Sequence, residues 1–103
     1  MHISVKILGT KSRQRYSVRR QVLVAENVLK AEYPDLEVNI LEVKTEEEIN
    51  KYTYVLIAPG LVINEKLVYD LWIPSKGQVL GWMREAIAEM QPVKLAKDPY
   101  QIE

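Results

Sequence analysis

The chain has 103 residues, 48% of them hydrophobic, and its 14 basic residues balance its 14 acidic ones. This length predicts one domain with one core, and the neutral balance argues against nucleic acid as a partner. The absence of cysteine excludes disulfides, thiolate metal sites and thiol redox chemistry. The only histidine is His2, which argues against a histidine-based metal site or catalytic triad. No apolar run suits a signal peptide or a membrane helix, so we expect a cytoplasmic protein that binds no membrane.

The first half of the chain predicts a strand, a helix and a second strand. Residues 3–8 alternate with the period of a strand. From about residue 13 to residue 32 the apolar residues have helical spacing and line one face: Val18, Val22, Ala25 and Leu29. Pro34 ends this helix, because proline disfavours the helical conformation at the residue before it. Residues 36–43 alternate again and predict the second strand.

The second half predicts a short helix, a hairpin and a last helix. Two capping boxes mark the helix starts, Thr45 with Glu48 and Ser75 with Gln78. The short helix should end near Tyr52. Residues 61–63 and 66–71 predict a hairpin with a tight turn between them. The last helix should bury Val79, Met83, Ala86 and Met90, with Leu80 and Ile87 beside them. We expect a domain over residues 1–91 and an extended tail over residues 92–103.

The order of these elements predicts an α/β fold. A strand, helix and strand in succession form a parallel pair with a right-handed crossover, and the hairpin adds antiparallel strands. We therefore predict a four-stranded mixed sheet in the order 2-1-3-4, with three helices covering both faces.

Three segments resemble a family of small microbial thioredoxin-like proteins, the redox-active disulfide proteins. Residues 7–15 read ILGTKSRQR where the family has ILGTGCPxC. Residues 58–68 read APGLVINEKLV where it has TPALVINGKVV, and residues 73–75 read IPS, followed by Trp82, where it has VPSxExIxxW. The resemblance covers residues 3 to about 88. It implies a thioredoxin-like fold with a cis-proline at Pro59, before the third strand.

The resemblance fails at the two residues that carry the family's reaction. Ser12 stands where the family has its nucleophilic cysteine, and Arg15 stands where it has the resolving cysteine. A serine hydroxyl neither forms disulfides nor ionises near neutral pH, so dithiol exchange is impossible. We interpret Ser12 as the N-cap of the first helix, since no base to activate it as a nucleophile is apparent.

The basic turn before the first helix is the candidate binding site. Cations at a helix N-terminus are unfavourable, so Lys11, Arg13 and Arg15 suggest an anion pocket, although a solvated basic turn would look the same. By the resemblance, the segment before Pro59 could pair with an extended peptide. The candidate anion or partner site comprises Lys11, Ser12, Arg13, Arg15, Tyr16, Ala58 and Pro59.

Apolar residues off the core face predict a partner surface, which comprises Leu23, Val24, Val28 and Trp72. The sequence therefore predicts a redox-inactive interaction module that self-associates or joins a larger complex, with no catalytic residue, metal or cofactor. The alternative is a small-molecule enzyme or carrier that holds an anion or a thiol at the basic turn. The glutathione transferases resemble this fold, and some of them use a hydroxyl there to stabilise a thiolate.

Overall fold

The computed structural model describes residues 1–54, 59–69 and 73–90. Its elements are, in order, β1 (His2–Leu8), α1 (Ser12–Glu32), β2 (Glu37–Val43), α2 (Glu46–Ile49), β3 (Gly60–Ile63), β4 (Lys66–Tyr69) and α3 (Lys76–Glu89). The predicted α/β architecture of four strands and three helices is confirmed. The predicted tail and the predicted end of the fourth strand lie outside the described residues.

The sheet has the order β2-β1-β3-β4, as predicted. β1 is central and pairs in parallel with β2 over its whole length, from His2 opposite Glu37 to Leu8 opposite Val43. On its other side β1 is antiparallel to β3, which forms the hairpin with β4. The mixed sheet therefore follows from one crossover through α1 and one hairpin.

The helices cover the two faces of the sheet unequally. Alternate β1 residues point to opposite faces, and one set packs under α1 and α3 in the main core: Ile3, Val5 and Ile7. A smaller cluster lies on the opposite face under α2 and comprises Leu8, Val43, Ile49 and Val62. No helix within the described residues is long and apolar enough to cross a membrane.

The first long helix buries the face that its sequence predicts, and the last helix does so except that Ile87 is buried in place of Met90. In α1 the buried apolar residues are Val18, Val22, Ala25 and Leu29, which confirms the predicted face. In α3 they are Val79, Met83, Ala86 and Ile87, while Met90 and Leu80 are half-buried against the core. Glu32 joins the helices because its carboxylate accepts from both terminal nitrogens of Arg84, at 2.6 and 2.7 Å.

The helix starts differ in how they are capped. α3 has the full predicted capping box: Gln78 N–H donates to Ser75 Oγ at 3.2 Å, and Ser75 N–H donates to Gln78 Oε1 at 2.9 Å. In α2, Thr45 Oγ1 accepts from Glu48 N–H at 3.3 Å, and the helix ends at Ile49, earlier than predicted.

The interpretation of Ser12 as the N-cap of α1 is wrong by one residue. Lys11 has the extended N-cap conformation, with φ −107° and ψ 123°. Its carbonyl accepts the first helical bond, from Arg15 N–H at 3.1 Å. Ser12 is therefore already inside the helix, and the N-cap side chain is a lysine, which cannot accept a hydrogen bond.

The β3–β4 hairpin is anchored to β1 through its turn. Asn64 and Glu65 have positive φ, 50° and 67°, as a two-residue type I′ turn requires. Ser4 N–H donates to Asn64 Oδ1 at 2.9 Å, and Lys6 Nζ donates to Glu65 at 2.7 Å. These contacts fix the register of the hairpin against the central strand.

Candidate functional site

Two loops meet at the carboxyl end of β1. Gly9 N–H continues the sheet by donating to Val43 O at 3.0 Å, and Pro59 is buried at the entry to β3. A Cβ placed on Gly9 would lie 3.3 Å from Arg15 Cγ and 3.9 Å from Pro59 Cα. The structure therefore brings the basic turn, the first turn of α1 and Pro59 together. The predicted cis bond and the predicted role of Ala58 fall outside the described residues, which omit Ala58.

Arg15 is part of the scaffold of this site. Its side chain is buried, with 7% of the residue exposed. Its Nε donates to Glu42 Oε1 at 2.8 Å and its Nη1 donates to Gly9 O at 2.9 Å. Arg19 Nη1 donates to the other carboxylate oxygen of Glu42 at 3.1 Å. The guanidinium of Arg15 thus ties α1 to β2 and to the turn, where the prediction had it facing a ligand.

The environment of Glu42 stabilises its charged form. The hydrogen bond from Arg15 lowers the pKa of the Glu42 carboxyl below its ordinary value, and the positive charges of Arg15, Arg19 and Lys44 act in the same direction. Partial burial opposes them by penalising the charge. Glu42 is therefore ionised at neutral pH and is a structural anion.

The remaining residues of the basic turn face solvent. Lys11, Ser12 and Arg13 are exposed, and Tyr16 is 58% exposed one turn further along α1. The first turn of α1 contains no acidic residue and no cap from the N-cap side chain. The open cations are thus Lys11 and Arg13, and an anion site at this helix end stays a prediction.

The predicted partner surface is partly exposed on α1. Leu23 is 42% exposed, Val24 is 37% exposed, and Val28 is half-buried. Trp72, the fourth predicted member, lies outside the described residues. Leu41 on β2 is 57% exposed, and the sequence reasoning missed it because it treated β2 only as a partner of β1.

The sequence reasoning also missed Glu42, although a signal for it exists. In β2 the apolar alternation Val38, Ile40 continues to Glu42, which places a carboxylate on the face that packs under α1. Arg15 likewise places a charge on the buried stripe of α1, three residues before Val18. Opposite charges on two facing apolar stripes indicate a buried ion pair, because either charge alone would be costly.

Neither a metal site nor a known relative helps to identify the function. Across the described ranges, no cluster of three His, Cys, Asp or Glu side chains could hold a metal ion. No protein-family model, curated protein or solved structure matches the chain. The functional argument therefore depends on the fold, the ion pair and the exposed surfaces.

Proposed function

We propose that this chain is a redox-inactive, thioredoxin-like protein that acts as a protein–protein interaction module. The observation that carries the proposal is the set of apolar side chains on the solvent side of α1: Tyr16, Leu23 and Val24. Large apolar groups clustered on a soluble surface mark interaction sites. Tyrosine also provides contact area at low cost in side-chain entropy.

The absence of redox chemistry is supported by the composition and by the site. The chain contains no cysteine. The position that matches the resolving cysteine of the resembled family is Arg15, and its side chain fixes α1 to Glu42. A guanidinium in this structural role performs no exchange reaction. The turn therefore contributes shape to a binding surface.

The test compares complexes formed by three tagged chains in extracts of the source cells. The wild-type chain should be recovered in a stoichiometric complex, with itself or with another protein. The variant Tyr16→Ser with Leu23→Ser should lose at least about nine-tenths of that complex, because it removes apolar contact area. The control variant Glu47→Ser changes an exposed residue of α2 and should still form the complex. A wild-type chain found only as a free monomer would contradict the proposal.

A second candidate function is binding of a small anion or thiolate at the start of α1. This function is favoured because the side chain of the N-cap residue Lys11 does not cap α1, and because the first turn contains no acidic residue. By contrast, side chains cap both α2 and α3. Free N–H groups and the helix dipole attract anions at such an end. Because Arg15 is bound to Glu42, the groups available to the ligand are Lys11, Ser12 and Arg13.

A further inference from the structure

The outer edge of β2 carries hydrogen-bonding groups that the described part of the chain does not use in its sheet. Glu37 N–H donates to Met1 O at 2.8 Å, and Val43 O accepts from Gly9 N–H at 3.0 Å. In a parallel pair, alternate residues of a strand bond to the neighbouring strand. The odd-numbered residues of β2 therefore bond to β1. The peptide N–H and C=O groups of Val38, Ile40 and Glu42 point away from the sheet.

This edge has only one of the features that usually prevent strands from pairing. Such features are proline, lysine, bulges and inward-pointing charges. β2 has seven residues without proline or lysine, and its register with β1 is regular. Its one inward charge, Glu42, is neutralised by Arg15 and Arg19. Among the described residues the edge has no strand partner, and its outward peptide groups suit strand addition.

One side of α1 lies along the same edge. Arg19 reaches Glu42 on β2, and at 100° per residue Tyr16, Leu23 and Lys30 lie within about 60° of Arg19 around the helix. Leu23 is four residues, about 6 Å, beyond Arg19, and Ile40 is two residues, about 6.6 Å, before Glu42. Arg15 also reaches Glu42, so Glu42 lies level with the turn between Arg15 and Arg19. Because α1 runs antiparallel to β2, Ile40 then lies level with the next turn of the helix, which ends at Leu23.

We infer that two copies of this chain pair through β2, antiparallel, about a two-fold axis at Ile40. This inference rests on the proposed function and names the partner as a second copy. The pairing brings the outward peptide groups of both strands into register over all seven residues. Ile40 then faces Ile40, Val38 faces Glu42, Asn39 faces Leu41, and Glu37 faces Val43. No like charges are opposed, and the two sheets become one of eight strands.

The helix is compatible with the same axis. A two-fold at Ile40 passes within about one turn of Leu23, so the two α1 helices run antiparallel with their Leu23 side chains close together. Tyr16 of each copy then lies near the segment of the other copy that carries Lys30 and Glu26, which form an ion pair at 3.1 Å within one chain. An exposed apolar helix segment beside a strand that can pair with its own copy suits an isologous dimer interface and favours a second copy over an unrelated protein.

Charge substitutions test the pairing and its register together. Asn39 and Leu41 are both exposed in the single chain. N39K with L41K places lysine opposite lysine twice in the dimer, whereas N39E with L41K places glutamate opposite lysine twice. Both variants lose the contact between Asn39 and His2, and both lose the Leu41 side chain. They therefore differ only in the sign of the charge at residue 39. Circular dichroism should show the same fold for both.

Sedimentation equilibrium gives the main measurement. At high micromolar concentration the wild-type chain should have twice the 11.9 kDa mass of the monomer. N39K/L41K should weaken the dimer about ten-fold or more, and N39E/L41K should restore most of the affinity. A wild-type chain of 11.9 kDa only, or two variants with equal dissociation constants, would overturn the inference.

Cysteine pairing checks the register, because the native chain has no cysteine to interfere. A mixture of N39C and L41C chains should form a covalent dimer under mild oxidation, since these positions face each other as a close pair. Each variant alone should form at least several-fold less covalent dimer, and equal yields would overturn the register.

If the chain is a monomer but another protein still binds in a Leu23-dependent way, this inference fails and the proposed function stands. If neither the dimer nor a complex with another protein forms, both this inference and the proposed function fail.

Discussion

Arg15 and Glu42 act as one unit, because Arg15 lies on the buried stripe of α1 and Glu42 lies on the half-buried face of β2 that packs against the core. Their contact at 2.8 Å joins the first turn of α1 to the end of β2, and the carbonyl of Gly9 accepts a second hydrogen bond from the guanidinium. The side chain of Glu42 is 16% exposed. Removing either partner would leave the other with a desolvated charge.

The first prediction concerns the strength of this pair. Glu42→Gln removes the carboxylate charge but keeps the shape, and should lower the free energy of unfolding by about 1–3 kcal/mol. Urea denaturation followed by circular dichroism measures it. Glu47→Gln, an exposed change on α2, is the control and should have an effect within about 0.5 kcal/mol. Equal effects of the two substitutions would show that the ion pair contributes no stability.

The second prediction is the pH dependence of that difference. The pKa of Glu42 is lower in the folded chain than in the unfolded chain, chiefly because of the hydrogen bond from Arg15. The folded state therefore binds fewer protons, and the stabilisation is present above the unfolded pKa, about 4.3. It should be lost as the pH falls through the lower, folded value. The stability gap between wild type and Glu42→Gln should be constant from pH 6 to pH 8 and shrink below about pH 4.3. A gap that widens in acid would contradict this.

At the scale of elements, the helix starts are the clearest contrast in the chain. α3 begins with a complete capping box, and α1 begins with a lysine that caps nothing. Ser75→Ala should therefore destabilise the fold by about 1 kcal/mol, and Lys11→Ser should stabilise it by about 0.5–1 kcal/mol. Thermal unfolding measures both. The opposite sign for Lys11→Ser would show that the lysine makes a contact worth more than a cap.

The same helix end provides the test of the second candidate function. If α1 binds an oxyanion, phosphate should raise the melting temperature more than chloride does at equal ionic strength. Lys11→Asp with Arg13→Glu should abolish the difference, because the acidic cap fills the end and repels the anion. Arg15 is left unchanged so that the scaffold stays intact. A response equal to that of the wild type would identify the basic turn as a solvated surface.

Local sequence patterns were sufficient for most elements, but they missed part of the site. The apolar stripe from Val18 to Leu29 and the alternation in β1 predicted the buried faces correctly, since burial of apolar residues dominates both. The N-cap is Lys11 and not Ser12, and the contact of Arg15 with Glu42 was not predicted. That contact joins residues 27 positions apart, so neither stripe reveals it alone, and it emerges only when the two stripes are compared.

At the scale of the whole molecule, association and stability are linked. If the dimer through β2 forms, it stabilises the folded chain by mass action, so the melting temperature should rise with protein concentration. The rise should be absent in N39K/L41K and present in N39E/L41K. Scanning calorimetry over a hundred-fold concentration range measures it. Equal concentration dependence in both variants would place the association elsewhere on the surface.

The central position of β1 has a consequence for synthesis. Its two neighbours come from distant parts of the chain, since Val5 pairs with Ile40 on one side and with Ile63 on the other. At a translation rate of about 5–20 residues per second, the second neighbour follows β1 by about 3–11 seconds. For about the last 1–4 seconds of that interval, once residue 43 has been made, a nascent β1–α1–β2 unit exposes one side of its central strand as well as the outer edge of β2. We expect released chains truncated after residue 43 to aggregate or recruit chaperones, and released chains truncated after residue 90 to do neither.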